Sequence, residues 1–236
     1  MKTVGLVMIV RNESRSLEKC LSLAEKLVDE IYITDTGSTD GTLEIARRYH
    51  AHISEFAWCN DFAAARNYAL KQSECDWNLI LDADEYLIAG TKKDILDFIE
   101  SGECVGAIER HDSYREASGE VSRSCVFITR LVPRGTFYEG RVHEQIVSAL
   151  PIRQLPLIFD HDGYLQGGKG KRNLEILLEE SKEKPEDPYL LYQIARTLWL
   201  MKDFVRAEGY FERFYRLAPE SGTGYRTNGV ISYIYN

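Results

Sequence analysis

The sequence predicts an α/β protein: a mixed sheet flanked by helices, followed by an all-α helical extension. Three observations support this. Short β-rich runs alternate with helical patterns from Val4 to Leu81, the signature of a largely parallel sheet. The runs Val105–His111, Cys125–Val132 and Ile152–Phe159 then follow one another without a long helix, so the sheet is expected to continue in mixed or antiparallel fashion. From about Lys171 the pattern is helical throughout. The expected division is residues 1–168 for the α/β part and 169–236 for the helical part.

Each element has a local reason. Val4–Val10 is apolar almost without interruption, as a strand covered on both faces should be. After the polar turn Asn12–Ser14, the residues Leu17, Cys20, Leu21, Leu23, Ala24, Leu27 and Val28 fall on or near one helical stripe behind Ser16. Ile31–Thr34 predicts a second strand and Asp35–Asp40 a loop around Gly37, with Thr39 or Asp40 capping a helix that reaches Arg48. His52–Ser54 reads as a third strand and Ala63–Ser73 as a helix. Trp77–Leu81 reads as a fourth strand that runs directly into Asp82-Ala83-Asp84-Glu85, and Thr91–Ser101 as a helix.

The chain has 236 residues, enough for one large domain or a domain with an appendage. Against 29 Lys+Arg stand 37 Asp+Glu, a net charge of -8, which argues against a nucleic-acid partner. Residues 1–170 hold 19 basic and 27 acidic side chains and residues 171–236 hold 10 of each, so the excess belongs entirely to the first part. The five cysteines are scattered, odd in number and never at zinc-ligand spacing along the chain. With no signal peptide at Met1–Arg11 and no apolar run of roughly 18 residues, a reducing, cytoplasmic protein without a transmembrane segment is expected.

The helical part carries a repeat signature. Leu191, Ala195, Leu198, Ala207, Phe211 and Pro219 match the small, apolar and proline positions of one tetratricopeptide unit beginning near Pro188. An ordinary helical hairpin would satisfy the same pattern. Tyrosines Tyr189, Tyr192, Tyr210, Tyr215, Tyr225, Tyr233 and Tyr235 concentrate here, which suggests a peptide contact or a homodimer through this region.

The chemistry is expected at strand ends. In a parallel sheet, ligands sit beyond the carboxyl ends of the strands. Asp82 and Asp84 stand there, and two carboxylates one residue apart can present oxygens to Mg²⁺ or Mn²⁺ shared with a diphosphate. A solvated loop or a helix cap is the alternative reading of this pattern. Asp35 ends the second strand and can hydrogen-bond a base or ribose, whereas Asp40 and Gly41 read as a cap and a turn. Lys169, Lys171 and Arg172 follow the glycine-rich stretch Gly163–Gly170, which reads either as a loop closing on a diphosphate or as a flexible linker. Trp58 and Phe62 border either the ligand or the core.

Taken together, Val7–Glu13, Asp35–Thr42, Ala65-Arg66-Asn67 and Leu81–Glu85 resemble the family 2 glycosyltransferases of the GT-A fold, over roughly residues 1–165. Trp58–Asn67 and Tyr138–Glu144 look like a bacterial branch in which tetratricopeptide-like helices follow such a domain. That branch includes saccharide glycosyltransferases and S-glycosyltransferases of bacteriocin peptides. The resemblance implies that Val10, Arg11 and Glu13 line the base pocket, that Asp35 binds the base and that Arg66 contacts the nucleotide or organises its loop. It implies that Asp82 faces ribose and metal, that Asp84 ligates the metal and that Glu144 is the catalytic base. His161 matches a late histidine that completes the metal shell in some GT-A enzymes, and a real histidine ligand would favour Mn²⁺. His143 either ligates instead or orients Glu144. For Glu144 a structural ion pair with Arg141 or another cation stays open, and for His161 a buried structural role.

The function these readings imply is metal-dependent, inverting transfer of a hexosyl or N-acetylhexosaminyl group. The donor is a nucleotide diphosphate sugar, of the uridine type, and the acceptor a saccharide or a peptide. The alternative is a degenerate nucleotide-sugar-binding scaffold that uses the helices for protein interaction. A nucleotidyltransferase would carry a glycine-rich basic loop after the first strand, where this chain reads Arg11–Ser16 without glycine.

Overall fold

The computed structural model describes residues 2–115, 119–162 and 169–217, with the side chains of Arg115 and Lys169 outside that description. Pro219 and the tyrosines beyond it lie outside the described residues, as do residues 163–168. The chain forms two compact units. One comprises Met1–Gly140 and Glu144–Gln166, and the other Arg141–His143 and Gly167–Asn236.

The first unit is built on strands β1 (Val4–Val10), β2 (Glu30–Asp35), β3 (His52–Glu55), β4 (Trp77–Ile80), β5 (Glu85–Ala89), β6 (Val105–Arg115), β7 (Val121–Pro133) and β10 (Ile152–His161). They form one sheet in the order β3-β2-β1-β4-β7-β6-β10-β5. The first four strands are mutually parallel, β7 is antiparallel to β4 and β6, and β10 is parallel to β6 with β5 antiparallel at the edge. A small sheet pairs β8 (Phe137–Glu139) with β9 (Gln145–Val147). Helices α1 (Leu17–Ala24), α2 (Thr42–Arg48), α3 (Phe62–Gln72) and α4 (Lys92–Glu100) connect the strands. The sheet is therefore mixed and helix-flanked. The fold differs from the sequence reading in several places. The small β8–β9 sheet was not expected, and β10 runs on to His161. β6 and β7 run longer, Glu85–Ala89 is a strand, and α1 stops at Ala24, where a 3-10 turn (Glu25–Leu27) takes over.

Alternation along the strands sends side chains to two cores. Leu6, Met8, Ile33, Leu79, Leu131 and Phe159 cluster with residues of α1, α2 and α4, while Val7, Tyr32, Ile80 and Val132 cluster with Ala69 and Leu70 of α3. Each fully buried Leu or Ile contributes roughly 1.5–3 kcal/mol. Gly5 shows how closely β1 is packed: a Cβ there would lie 3.0 Å from Ser73 Oγ and 3.2 Å from Cys75 Sγ.

In the second unit, α5 (Lys169–Glu183), α6 (Pro188–Leu200) and α7 (Phe204–Leu217) pack in sequence. Asp187 caps α6 by accepting from Tyr189 N at 2.8 Å, with Pro188 opening the helix. Leu191, Ala195, Leu198, Ala207 and Phe211 are all buried, so the small residues sit where the paired helices touch. No helix among the described residues is long and apolar enough to cross a membrane.

Candidate active site

Parallel pairing of Val10 with Asp35, and of Val7 with Ile80, brings the carboxyl ends of β1, β2 and β4 to one edge of the sheet. Their loops are organised by short polar contacts. Asn12 adopts φ 57°, donates its N–H to Ser38 Oγ at 2.9 Å and accepts from Thr39 N at 2.8 Å. Val10 is buried, Arg11 is exposed, and Glu13 Oε2 accepts from Ser16 Oγ at 2.8 Å. The buried Asp35 accepts from Gly37 N at 3.1 Å and Ser38 N at 3.0 Å. Its carboxylate holds the loop that follows and keeps lone pairs for a further donor. Asp40 accepts from Thr42 N at 3.0 Å and Ser14 N at 3.2 Å. It stands one residue before the N-cap of α2, which is Gly41 and makes no side-chain cap hydrogen bond, so neither Thr39 nor Asp40 is the cap that the sequence led us to expect. Burial opposes ionisation there, but the hydrogen bonds from Thr42 and Ser14 outweigh it and lower its pKa to about 2.

Beyond β4 lies a buried ionic cluster. Arg66 Nη2 donates to Asp82 Oδ1 at 2.8 Å and its Nε donates to Glu144 Oε1 at 2.5 Å. Arg130 Nη2 donates to Asp82 Oδ2 at 2.7 Å and also to Glu85, whose side chain is wholly buried. Arg110 joins Glu85 at 2.9 Å and Asp112 at 3.2 Å. His161 Nδ1 lies 2.8 Å from Asp112 Oδ1, and its Nε2 lies 3.5 Å from Asp84 Oδ2. Arg66 is held in place by its helix. Asp61 caps α3 through Ala64 N at 2.8 Å, and Asn67 pairs with the backbone of Tyr138 in both directions, at 2.9 and 2.7 Å. The Arg66 guanidinium carbon stands 5.7 Å from the Tyr138 ring centroid, within cation–π reach.

The electrostatics follow from burial and pairing. Desolvation alone would raise the Asp82 pKa, but Arg66 and Arg130 hold it well below the usual carboxylate range. The same balance acts on Arg66: burial opposes its charge, yet Asp82 and Glu144 keep its pKa well above normal. For His161, burial favours the neutral ring, but the hydrogen bonds with Asp112 and Asp84 prevail and push its pKa up to about 9.

The fold thus gathers Arg66, Asp82, Glu144, Asp84 and His161 into one connected cluster. The ion pair at Glu144 is formed by Arg66, while Arg141 engages Glu183 in the helical unit at 2.7 Å. His143 also belongs to that unit, with φ 57° and its carbonyl accepting from Tyr189 Oη at 2.9 Å. There too, Arg172 donates to Asn173 Oδ1 at 2.9 Å, and Lys169 opens α5. Trp58 and Phe62 form an edge-to-face pair at 4.7 Å, both half-buried. Four residues to which the motifs assign no role complete the cluster: Glu85, Arg110, Asp112 and Arg130. Arg130 carries a signal, a charge between Val126-Phe127-Ile128-Thr129 and Leu131-Val132, whereas Arg110 and Asp112 stand in the polar run Glu109–Ser113 and Glu85 continues the acidic run after Leu81, so nothing local marks these three.

The sheet thus sets carboxylates and buried arginines beyond the carboxyl ends of its parallel strands, where α/β folds bind their ligands. The Glycosyl transferase family 2 model matches residues 6–148, and the chain belongs to that family. A TPR repeat-containing protein of Synechococcus elongatus is 29% identical over 230 residues, covering 90% of this chain and 56% of the relative. The SPbeta prophage-derived glycosyltransferase SunS of Bacillus subtilis is 28% identical over 228 residues, covering 89% of this chain and 53% of the relative. The chain therefore spans about half the length of these curated relatives. Among solved structures, S. aureus TarS has a TM-score of 0.56 at 14% identity, over 93% of this chain and 50% of that one. TarS residues 1–349 in complex with UDP have a TM-score of 0.53 at 16% identity, over 93% of this chain and 82% of that one. These last two likenesses concern the fold.

Proposed function

We propose that the chain transfers a hexosyl or N-acetylhexosaminyl group from a UDP-sugar to a saccharide or peptide acceptor, with inversion and with a divalent metal. The observation that carries this reading is Arg66, which joins the strand-end carboxylate Asp82 to Glu144 from a distant segment. The TarS structures in complex with UDP and with UDP-GlcNAc, and the glycosyltransferase name of SunS, support the donor class and the reaction type.

The residues divide the work. Val10, Arg11 and Glu13 line the base pocket and Asp35 takes the base, while Asp82, with both oxygens on arginines, faces the ribose. Asp84 and His161 would hold Mn²⁺ or Mg²⁺. Their Oδ2 and Nε2 atoms stand 3.5 Å apart, close to the spacing of two ligands of one ion. The charge balance fits as well. Five carboxylates (Asp82, Asp84, Glu85, Asp112, Glu144) face three arginines (Arg66, Arg110, Arg130), and a divalent ion in place of the His161 proton makes the cluster neutral. Bound there, the ion supplies Lewis acidity toward a leaving diphosphate. Arg66 Nη1 and Arg130 Nε are buried donors without an acceptor among the described residues, which suits a site that takes an oxyanion.

In the reaction, the acceptor nucleophile forms its bond to the anomeric carbon as the bond from that carbon to the diphosphate oxygen breaks. Glu144 takes the acceptor proton and UDP departs with the electron pair. Residues 1–168 form the catalytic domain in this reading. Residues 169–236 form a tetratricopeptide-like region that contacts a peptide acceptor or a second copy of the chain. The site works on cytoplasmic UDP-sugars.

The test is a panel of nucleotide sugars with and without Mn²⁺, followed by thermal shift and by release of UDP. A UDP-sugar should raise the melting temperature only with metal, and Glu144→Gln should keep that shift while losing turnover. Metal-independent binding would remove the Asp84 and His161 assignment. Binding with no UDP release from the unaltered protein would favour the scaffold reading instead.

A further inference from the structure

The face of β6 opposite the Arg110–Asp112 pair holds a second cluster of a different kind. Glu109 and His111 lie two residues apart on β6, hence on one face of the strand. Across the ladder, Cys125 of β7 is the register partner of His111, and on the other side Asp160 of β10 is its register partner. A thiol, an imidazole and two carboxylates are therefore set in a row over three adjacent strands. Among the described residues, Glu109, His111 and Cys125 are the group of His, Cys, Asp and Glu side chains whose donor atoms all lie within 4.8 Å of one another. His111 Nε2 is 2.7 Å from Glu109 Oε1, and its Nδ1 is 4.0 Å from Asp160 Oδ1.

We propose that this face is a binding site for a soft divalent cation, Zn²⁺ or a metal of similar chemistry, held by Glu109, His111 and Cys125. The donor set decides the metal. A thiolate with an imidazole selects zinc-like ions, whereas oxygen donors select Mg²⁺ and Mn²⁺. The site is thus chemically distinct from Asp84 and His161, which lie on the other face of the sheet. Tetrahedral zinc needs ligand atoms about 3.3–3.8 Å apart, from bond lengths of about 2.0–2.3 Å. Side-chain rotation suffices to bring the three donors to that spacing, because none of them is fully buried. One thiolate and one carboxylate neutralise the ion, and water takes the fourth position.

Asp160 supplies what an isolated surface ion pair would not need. When Nε2 of a histidine binds metal, the other ring N–H is commonly held by a carboxylate, which sets the tautomer and the ring orientation. Asp160 Oδ1 lies on the Nδ1 side of His111, is buried and has no hydrogen-bond partner among the described residues. Asp160 is a positioning residue here and not a ligand. The sequence hides this site, since Cys125 follows His111 by 14 residues and only the β6–β7 register sets them side by side.

The experiment is a Co²⁺ titration of the metal-free chain, read by the thiolate-to-cobalt charge-transfer absorption. One equivalent should produce the band, and Zn²⁺ should abolish it by displacement. Cys125→Ser should lose the band, His111→Ala should weaken Co²⁺ binding at least tenfold, and Asp160→Asn should weaken it by about 10–100-fold. Cys59→Ser and Asp84→Asn should keep it. Independently, Zn²⁺ should slow alkylation of Cys125 in the unaltered protein while the exposed Cys59 stays reactive. No charge-transfer band, a band that survives Cys125→Ser, or equal alkylation of both thiols with and without Zn²⁺ would each overturn the proposal.

Discussion

The two faces of β6 treat ionisable residues in opposite ways. On one face Arg110 and Asp112 are nearly sealed, with side chains 10% and 7% exposed, Asp112 being answered by a guanidinium and an imidazole and Arg110 by carboxylates. On the other, Glu109 and His111 are 27% and 30% exposed and are answered by a weaker partner set that includes a thiol. Burial is the cause. A carboxylate removed from water needs a strong cation at hydrogen-bond distance, whereas a half-exposed one keeps part of its hydration. The sealed face is therefore suited to holding geometry, and the open face to exchanging a ligand.

Removing a cation from the sealed side should have the largest effect. Arg130→Met leaves Asp82 and Glu85 short of their shared partner and should cost about 3–5 kcal/mol in urea unfolding. A loss below about 1 kcal/mol would mean that water reaches the cluster and that the contrast between the faces is overstated. Glu144→Gln keeps the shape of the sealed cluster but removes its base. It should lower UDP release by about 10²–10⁴-fold while leaving the UDP-sugar thermal shift intact. An unchanged rate would reassign Glu144 to a structural ion pair with Arg66.

On the open face, His111→Ala should shift metal-free stability by no more than about 0.5 kcal/mol. A much larger loss would show that this face too is part of the packed frame. The smallest effect is expected at Asp40, an exposed carboxylate held only by nearby N–H and hydroxyl groups. Its folded pKa of about 2 lies below the ordinary 3.8, so its contribution is present above about pH 4 and fades as the pH falls toward 2. Asp40→Asn should remove that part of the acid sensitivity, followed by circular dichroism during acid titration.

The legibility of the molecule in its sequence follows the same physics. β1, β2 and β4 were readable because strands covered on both faces must be apolar throughout, and Leu81–Glu85 was readable because a carboxylate pair directly after such a strand breaks that pattern. Arg66 and Glu144 were individually visible as motif residues, but nothing in their local context says that they touch. β8 and β9 gave no signal, being three residues each. β5 was hidden by the acidic motif that runs into it.

The linear order of residues determined the elements of the α/β unit, the helical run after it and the strand-end position of the acids, since these depend on neighbours a few residues apart. Only the tertiary structure decided which charges meet. Asp82 is neutralised by arginines from α3 and β7 because the sheet order sets β7 beside β4, far from it in the chain, and His111 faces Cys125 because of the register between the consecutive strands β6 and β7. Electrostatic partnership depends on distance through space and on removal from water, and neither is a property of sequence spacing.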